Sequence, residues 1–286
     1  MARKKEIVTI LFNSGVVSVA QPDRPFWRST GRLAAVRIRT QRILENDDAA
    51  ASATALADTA SDSPMLITRT LGTLCKQMLE RSPSYRNVIV RSADFLASEP
   101  ACQKANAVAG SPNNGWLFSI PIAQRMGIPH AMIFDDKKIV LCHENRSSEL
   151  DSGLGKRFLL VSDIIGGGNT YNRIWLPAIN EASGLTAAVY NIIDRRQGGS
   201  DRLVTLGIPP FSLCETDAAF FREAFEYNLI DQGQLDFALA YIADPIKSML
   251  DFVCEHPDFI TKSLEGDERT KAAATLCLEH GYYTVK

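Results

Sequence analysis

Apolar and polar positions change period several times along this chain, and each change predicts an element. Residues 4 to 14 place Ile7, Ile10 and Leu11 on one helical face. A turn at Ser29-Thr30-Gly31 follows, then an extended piece in which Val36 and Ile38 alternate with Arg37 and Arg39. The polar, alanine-rich segment 46 to 63 reads as a loop or an exposed helix. Pro64 starts a helix to about Glu80, with Leu66, Leu71, Leu74 and Met78 as its inner stripe. Val88-Ile89-Val90 is an apolar run with no assigned element.

Strand and helix patterns then alternate. Ala105 to Ala109 reads as a strand, 116 to 126 as a helix ended by Gly127, and His130 to Phe134 as a strand. Ile139 to Cys142 is a further strand candidate, and 144 to 157 a polar loop. A strand over 158–163, a helix over 170–182 kinked at Pro177, and a strand over 186–193 complete the series. Such alternation predicts an α/β fold with a parallel sheet. Ligands in these sheets bind beyond the carboxyl ends of the strands. The loops at 110–115, 134–138, 163–170 and 194–199 therefore line one crevice. After Pro209-Pro210 the periodicity is helical, with Thr216 or Asp217 capping a helix that carries Phe220, Phe221, Ala224 and Phe225.

The densest chemistry sits at 158–170. The apolar run Phe158 to Val161 ends in Ser162-Asp163, and Ile164-Ile165 leads into Gly166, Gly167, Gly168, Asn169 and Thr170. A glycine loop opening a helix lets backbone N–H groups close on a phosphate, and the helix dipole favours the negative charge. The neighbouring carboxylate of Asp163 suits a pair of sugar hydroxyls or a metal-bound sugar. The plain alternative is a tight strand-to-helix turn.

With 286 residues the chain can bury a full core, and 45% apolar and 22% charged residues are ordinary for a globular protein. A net charge of −2 argues against a nucleic-acid binder. The six cysteines form no CxxC pair and read as reduced thiols of a cytoplasmic protein. No metal-ligand spacing occurs among the four histidines; His143-Glu144 lacks a second ligand because position 147 is Ser. Basic residues 3–5 precede an apolar stretch in which only Ile7 to Phe12 is continuous, so an amphipathic first helix is expected rather than a leader. No run approaches a membrane span.

Taken together, these segments resemble the type I phosphoribosyltransferases, most closely the orotate phosphoribosyltransferases. In that family a buried strand runs into two acidic residues, two apolar residues and a Thr/Gly-rich loop for the 5-phosphate of PRPP. Ser162-Asp163 and Gly166 to Thr170 stand at those places. Residues 8 to 39, with "LFNSGVV" and "PFWRSTGRLAAVRIR", are similar to the family's opening helix and Phe-x-x-x-Ser-Gly-Arg segment. "VAGSPNNGWLFSIPIAQRMGIPHAMIF" (108–134) resembles the pyrophosphate loop, its helix and the next strand. "YNIIDRRQGG" (190–199) resembles the strand that supplies an orotate-binding arginine, here Arg195. The likeness covers roughly residues 8 to 200.

The resemblance implies a parallel α/β domain over 1–209, with an N-terminal hood over about 1–45, and a C-terminal helical extension over 210–286. It implies transfer of a phosphoribosyl group from PRPP to orotate or a related base in pyrimidine biosynthesis, with release of pyrophosphate. Asp163 and Lys138 would be catalytic. Ser162, Gly166, Gly167, Gly168, Asn169, Thr170, Arg195, Ser111, Asn114 and Gly115 would bind substrate. Mg2+ would be held mainly through PRPP, with no protein ligands of its own, and the protein would be a cytoplasmic homodimer without nucleic-acid or membrane partners. Two departures favour an alternative, a protein of the same fold that binds PRPP or a nucleotide as a sensor without turnover: Ser162 replaces the first acid, and Phe134-Asp135, in an acidic 134–138 loop, stands where the family has an Arg-Lys pair. Asn114 also stands where a loop lysine is often found.

Overall fold

The structure is a computed structural model and describes residues 2–58, 63–110, 112, 115–143 and 146–283. Two compact units make up the chain: residues 40–216, and residues 1–39 together with 217–286.

The unit of residues 40–216 is built on a seven-stranded sheet among the described residues. Its strands are β1 (Ala107–Gly110), β2 (His130–Ile133), β3 (Ile139–His143), β4 (Arg146–Glu149), β5 (Arg157–Ile165), β6 (Leu185–Asp194) and β7 (Pro210–Glu215). In space they run β7-β6-β5-β1-β2-β3-β4. The first five are parallel, and β3 and β4 add an antiparallel edge. This is the α/β sheet flanked by helices that the alternation predicts. From β1 the chain moves outward to β2, whereas from β5 it moves the other way to β6. The order thus reverses between β1 and β5, which is where open parallel sheets place their ligand crevice.

Side chains alternate faces along each strand. Phe158 and Leu160 of β5, with Ala107 and Ala109 of β1, pack in one core cluster with Trp175, Leu176 and Ile179 of the segment after the glycine loop. Burying each Phe or Leu here contributes roughly 2–3 kcal/mol. On sequence helices α1 (Asp47–Asp58), α2 (Pro64–Arg81), α3 (Pro83–Ser98) and α4 (Gly115–Met126), the last is buried along nearly its whole length. Val88-Ile89-Val90 proves to be part of α3, with Val88 and Ile89 facing its core.

Two strands of this sheet fall where the pattern predicts none. β4 reads Arg-Ser-Ser-Glu and is exposed at all four positions, so it shows no apolar alternation. β7 begins at Pro210 and pairs parallel with β6, instead of opening the helical region. A proline is tolerated there because it is the first residue of an edge strand and owes no donor to the ladder. The kink expected at Pro177 takes a specific form: residues Tyr171–Trp175 are wound as a π-helix, and the α-helix Leu176–Glu181 follows. Proline has no N–H to give to an earlier carbonyl, so the preceding turn widens.

The second unit joins the N-terminal helix Ala2–Asn13 and two short antiparallel strand pairs, Val17–Val19 with Val36–Ile38 and Phe26–Trp27 with Leu33–Ala34, to a set of C-terminal helices. Helices Ala218–Glu226, Gln232–Ala243, Pro245–Glu255 and Glu268–Glu279 each start on an aspartate whose carboxylate accepts a backbone N–H: Asp217, Asp231, Asp244 and Asp267. Phe220, Phe221 and Ala224 are buried, and Phe220 stacks on Phe12 at 5.6 Å. Among the described residues no helix is long and apolar enough to cross a membrane.

Candidate functional site

β5 carries the site. Phe158 and Leu160 anchor it in the core, and two residues further along the same face Ser162 is buried. Asp163 points to the other face. Its carboxylate accepts a hydrogen bond from Thr40 Oγ1 at 2.6 Å and one from Ser162 Oγ at 3.3 Å. Burial pushes the Asp163 carboxyl above the usual carboxylate range. The hydrogen bonds from Thr40, the Ile164 N–H and Ser162 oppose that rise without cancelling it.

Beyond Asp163 the chain makes two glycine turns that interlock. The first is Gly166–Gly168, with Gly168 in the left-handed region at φ +75°. The second, Gly198-Gly199, follows β6, the next strand in the sheet. Gly199 N–H donates to Gly166 O at 2.9 Å, and Arg195 N–H donates to Ile165 O at 2.9 Å. A Cβ on Gly199 would lie 2.4 Å from Gly166 O, and one on Gly168 would lie 3.1 Å from Gly199 Cα. Backbone approach this close is what glycine permits and other residues forbid. Asp194, at 3% exposure, fixes the second turn by accepting from Arg196 N–H and from Ser200 Oγ, both at 2.6 Å.

Behind the carboxylate lies a buried polar group. Tyr171, just after the first turn, donates from its hydroxyl to Asn191 Oδ1 at 2.7 Å. Asn191 pairs in register with Ser162. Burial raises the Tyr171 phenol well above its ordinary range, so it acts as a neutral donor. Ser162, beside this uncharged pair and donating to Asp163, stands where a second carboxylate would be buried at high cost.

The structure brings together Ser162, Asp163, Gly166, Gly167, Gly168, Asn169, Thr170 and Arg195 at the carboxyl ends of β5 and β6. Asn169 and Thr170 are exposed and Arg195 is half-buried. Gly115 is the buried first residue of α4. Ser111 and Asn114 lie outside the described residues. Lys138 stands apart. Residues 134–138 form a tight hairpin turn between β2 and β3, closed by Phe134 N–H to Lys138 O at 2.9 Å, with Lys137 at φ +70°. β3 is separated from β5 by β1 and β2, about 14 Å at ordinary strand spacing. Lys138 pairs with Glu149 of β4 at 2.7 Å, and Lys137 with Glu181 at 2.5 Å.

The sequence places the loop 194–199 in the crevice but gives no individual role to Thr40, Asn191, Asp194, Gly198, Gly199 or Ser200. A second Gly-Gly four residues past the end of a strand was the signal available for the last four. Nothing local marks Thr40, which lies 123 residues from its partner.

No family model matches the sequence. Among curated proteins, the adenine phosphoribosyltransferase of Vibrio atlanticus (strain LGP32) is 24% identical over 173 residues, covering 50% of this chain and 95% of that protein. That of Nitrosospira multiformis is 28% identical over 133 residues, covering 42% of this chain and 75% of that protein. Among solved structures, the UMP synthase of Leishmania donovani superposes with a TM-score of 0.55 at 15% identity, over 84% of this chain and 42% of that one. This chain therefore spans less than half of that protein. The orotate phosphoribosyltransferase of Francisella tularensis gives a TM-score of 0.51 at 14% identity, over 82% of this chain and 96% of that one. The chain has the type I phosphoribosyltransferase fold. In sequence it resembles these transferases at low identity.

Proposed function

We propose that the protein is a transferase that binds PRPP and passes its phosphoribosyl group to a nucleobase, releasing pyrophosphate. The observation that carries this is the pair of interlocked glycine turns beside Asp163 at the switch point of the sheet. The first turn holds the 5-phosphate on backbone N–H groups at the start of the following helix. Asp163 accepts from the ribose hydroxyls and supports the positive charge that develops on the ring as the pyrophosphate bond breaks. Arg195 offers a planar fork to a carboxylate, which favours orotate over adenine. Magnesium arrives with PRPP: it keeps several waters and binds substrate phosphates, with few protein ligands. In the same reading the protein is a cytoplasmic homodimer.

A second reading has a specific observation behind it. Lys137 and Lys138 are both engaged with glutamates, and the turn that carries them is short and closed. With Ser162 uncharged, this favours a protein that holds PRPP or a nucleotide as a sensor without turnover. Purified protein with PRPP and Mg2+, given orotate or adenine, separates the readings by release of pyrophosphate and by thermal shift. Turnover with orotate supports the orotate enzyme, and turnover with adenine alone removes the role given to Arg195. A thermal shift with PRPP but no turnover leaves the sensor. The absence of both overturns the assignment of the glycine turns.

A further inference from the structure

The hairpin Phe26–Trp27/Leu33–Ala34 turns through Arg28-Ser29-Thr30-Gly31-Arg32. Arg28 N–H donates to Arg32 O at 2.8 Å, so the two arginines stand opposite each other across the neck of the turn. Like charges directly opposed on a strand pair repel. Among the described residues neither has a carboxylate partner; Arg32 instead lies over the Tyr282 ring at 4.6 Å. Both arginines line one pocket of about 130 Å³ together with Tyr241, Tyr282 and Tyr283, all within the second unit. The walls are mostly aromatic and apolar, and Ile246 among them is 67% exposed.

The turn beside the pocket packs closely on the neighbouring helix. Gly31, at φ +76°, sits so close to the helix Glu268–Glu279 that a Cβ would lie 2.7 Å from Cys277 N. Tyr283 is held at φ +61°, and its hydroxyl accepts from Leu33 N–H at 2.9 Å, which leaves the phenolic proton to donate elsewhere.

We propose that this pocket binds a monocyclic aromatic carboxylate. Two guanidinium groups without a carboxylate partner among the described residues supply a forked site for the carboxylate. The tyrosines supply ring faces and edges for the aromatic body. Its volume suits one ring, since a cavity of about 150 Å³ takes a benzene. The proposal is independent of the phosphoribosyl reading, because every residue it uses lies outside 40–216.

Benzoate is the probe, titrated into the full chain by isothermal calorimetry and by saturation-transfer NMR. Acetate and inorganic phosphate serve as plain anions. The expected result is saturable benzoate binding, with acetate and phosphate at least tenfold weaker. Arg28→Ala and Arg32→Ala each weaken benzoate at least tenfold, and Tyr283→Phe weakens it severalfold. Both arginines are exposed, so these variants keep the fold, as circular dichroism will show. Asp163→Asn leaves benzoate binding unchanged, so failure of the phosphoribosyl site and failure of this one are told apart. No saturable benzoate binding, equal binding of acetate, or binding untouched by both arginine variants overturns the proposal.

Discussion

Asp163 is a carboxyl group placed where ionisation is costly, and the sign of that cost is testable. Its pKa in the fold lies above the unfolded value because burial dominates. The native state therefore favours the protonated form. That contribution is complete below the unfolded pKa and is lost as pH rises through the folded one, so at neutral pH the ionised group destabilises the fold. Asp163→Asn keeps the shape and an acceptor for Thr40 while removing the charge. The variant should unfold at a higher urea midpoint than wild type at pH 7, with the gain fading at pH below the ordinary carboxylate range. Its PRPP-dependent activity should fall by about 10²-fold or more, since the charge that supports the ring is gone. A variant less stable than wild type at both pH values would contradict this account of the site. His130 makes the opposite case. It is buried, its Nε2 lies 2.9 Å from Ser119 Oγ, and its pKa is pushed down to about 3 by burial. Below about pH 6.5 the unfolded chain takes up a proton that the native state refuses. Stability should thus fall by about 1.4 kcal/mol per pH unit from there toward pH 3, roughly 2–3 kcal/mol by pH 4.5. In urea titrations His130→Gln should lose this part of the acid slope; an unchanged slope would mean that His130 is not the group responsible.

At the scale of elements, the site is two βα turns locked together, and Gly199 is the lock. Its Cβ would press on Gly166 O at 2.4 Å and on Ile165 Cγ1 at 2.7 Å. Gly199→Ala should cost about 1–3 kcal/mol as an overpacked contact and abolish the thermal shift with PRPP. Gly207→Ala is the control: φ is +73° but no atom lies within 4 Å of the added methyl. It should cost about 1 kcal/mol through backbone strain alone and leave the PRPP shift intact. If both variants keep the shift, the interlocked turns are not the phosphate site. The contrast also shows what was legible in the sequence. β5 announces itself, because an apolar run, a carboxylate and three glycines are consecutive. The four aspartate caps lie one residue before their helices and are equally local. What escaped depends on contacts between distant segments. β4 is polar on both faces and is a strand only because β3 offers it a ladder. β7 is an edge strand opened by a proline. Gly198-Gly199 reads as an ordinary turn until Gly166 is placed against it, and Thr40 acquires its role only from Asp163.

For the whole molecule, the distribution of the site along the chain decides what can be removed. Thr40, Asp163, both glycine turns, Asp194 and Ser200 all fall within the continuous unit 40–216. That unit also owns the complete sheet and its own core cluster. It is large enough to bury a core of ordinary proportion. The other unit is made of two pieces, 1–39 and 217–286, and includes Arg28, Arg32 and the three tyrosines of the anion pocket. A chain cut to 40–216 should therefore fold cooperatively and keep a thermal shift with PRPP and Mg2+. It should show no saturable binding of benzoate. Calorimetric unfolding and the two ligand titrations on the same preparation check all three points. A fragment that melts without a cooperative transition would show that the sheet depends on the second unit. A folded fragment that ignores PRPP would mean that ribose-phosphate binding draws on residues outside 40–216.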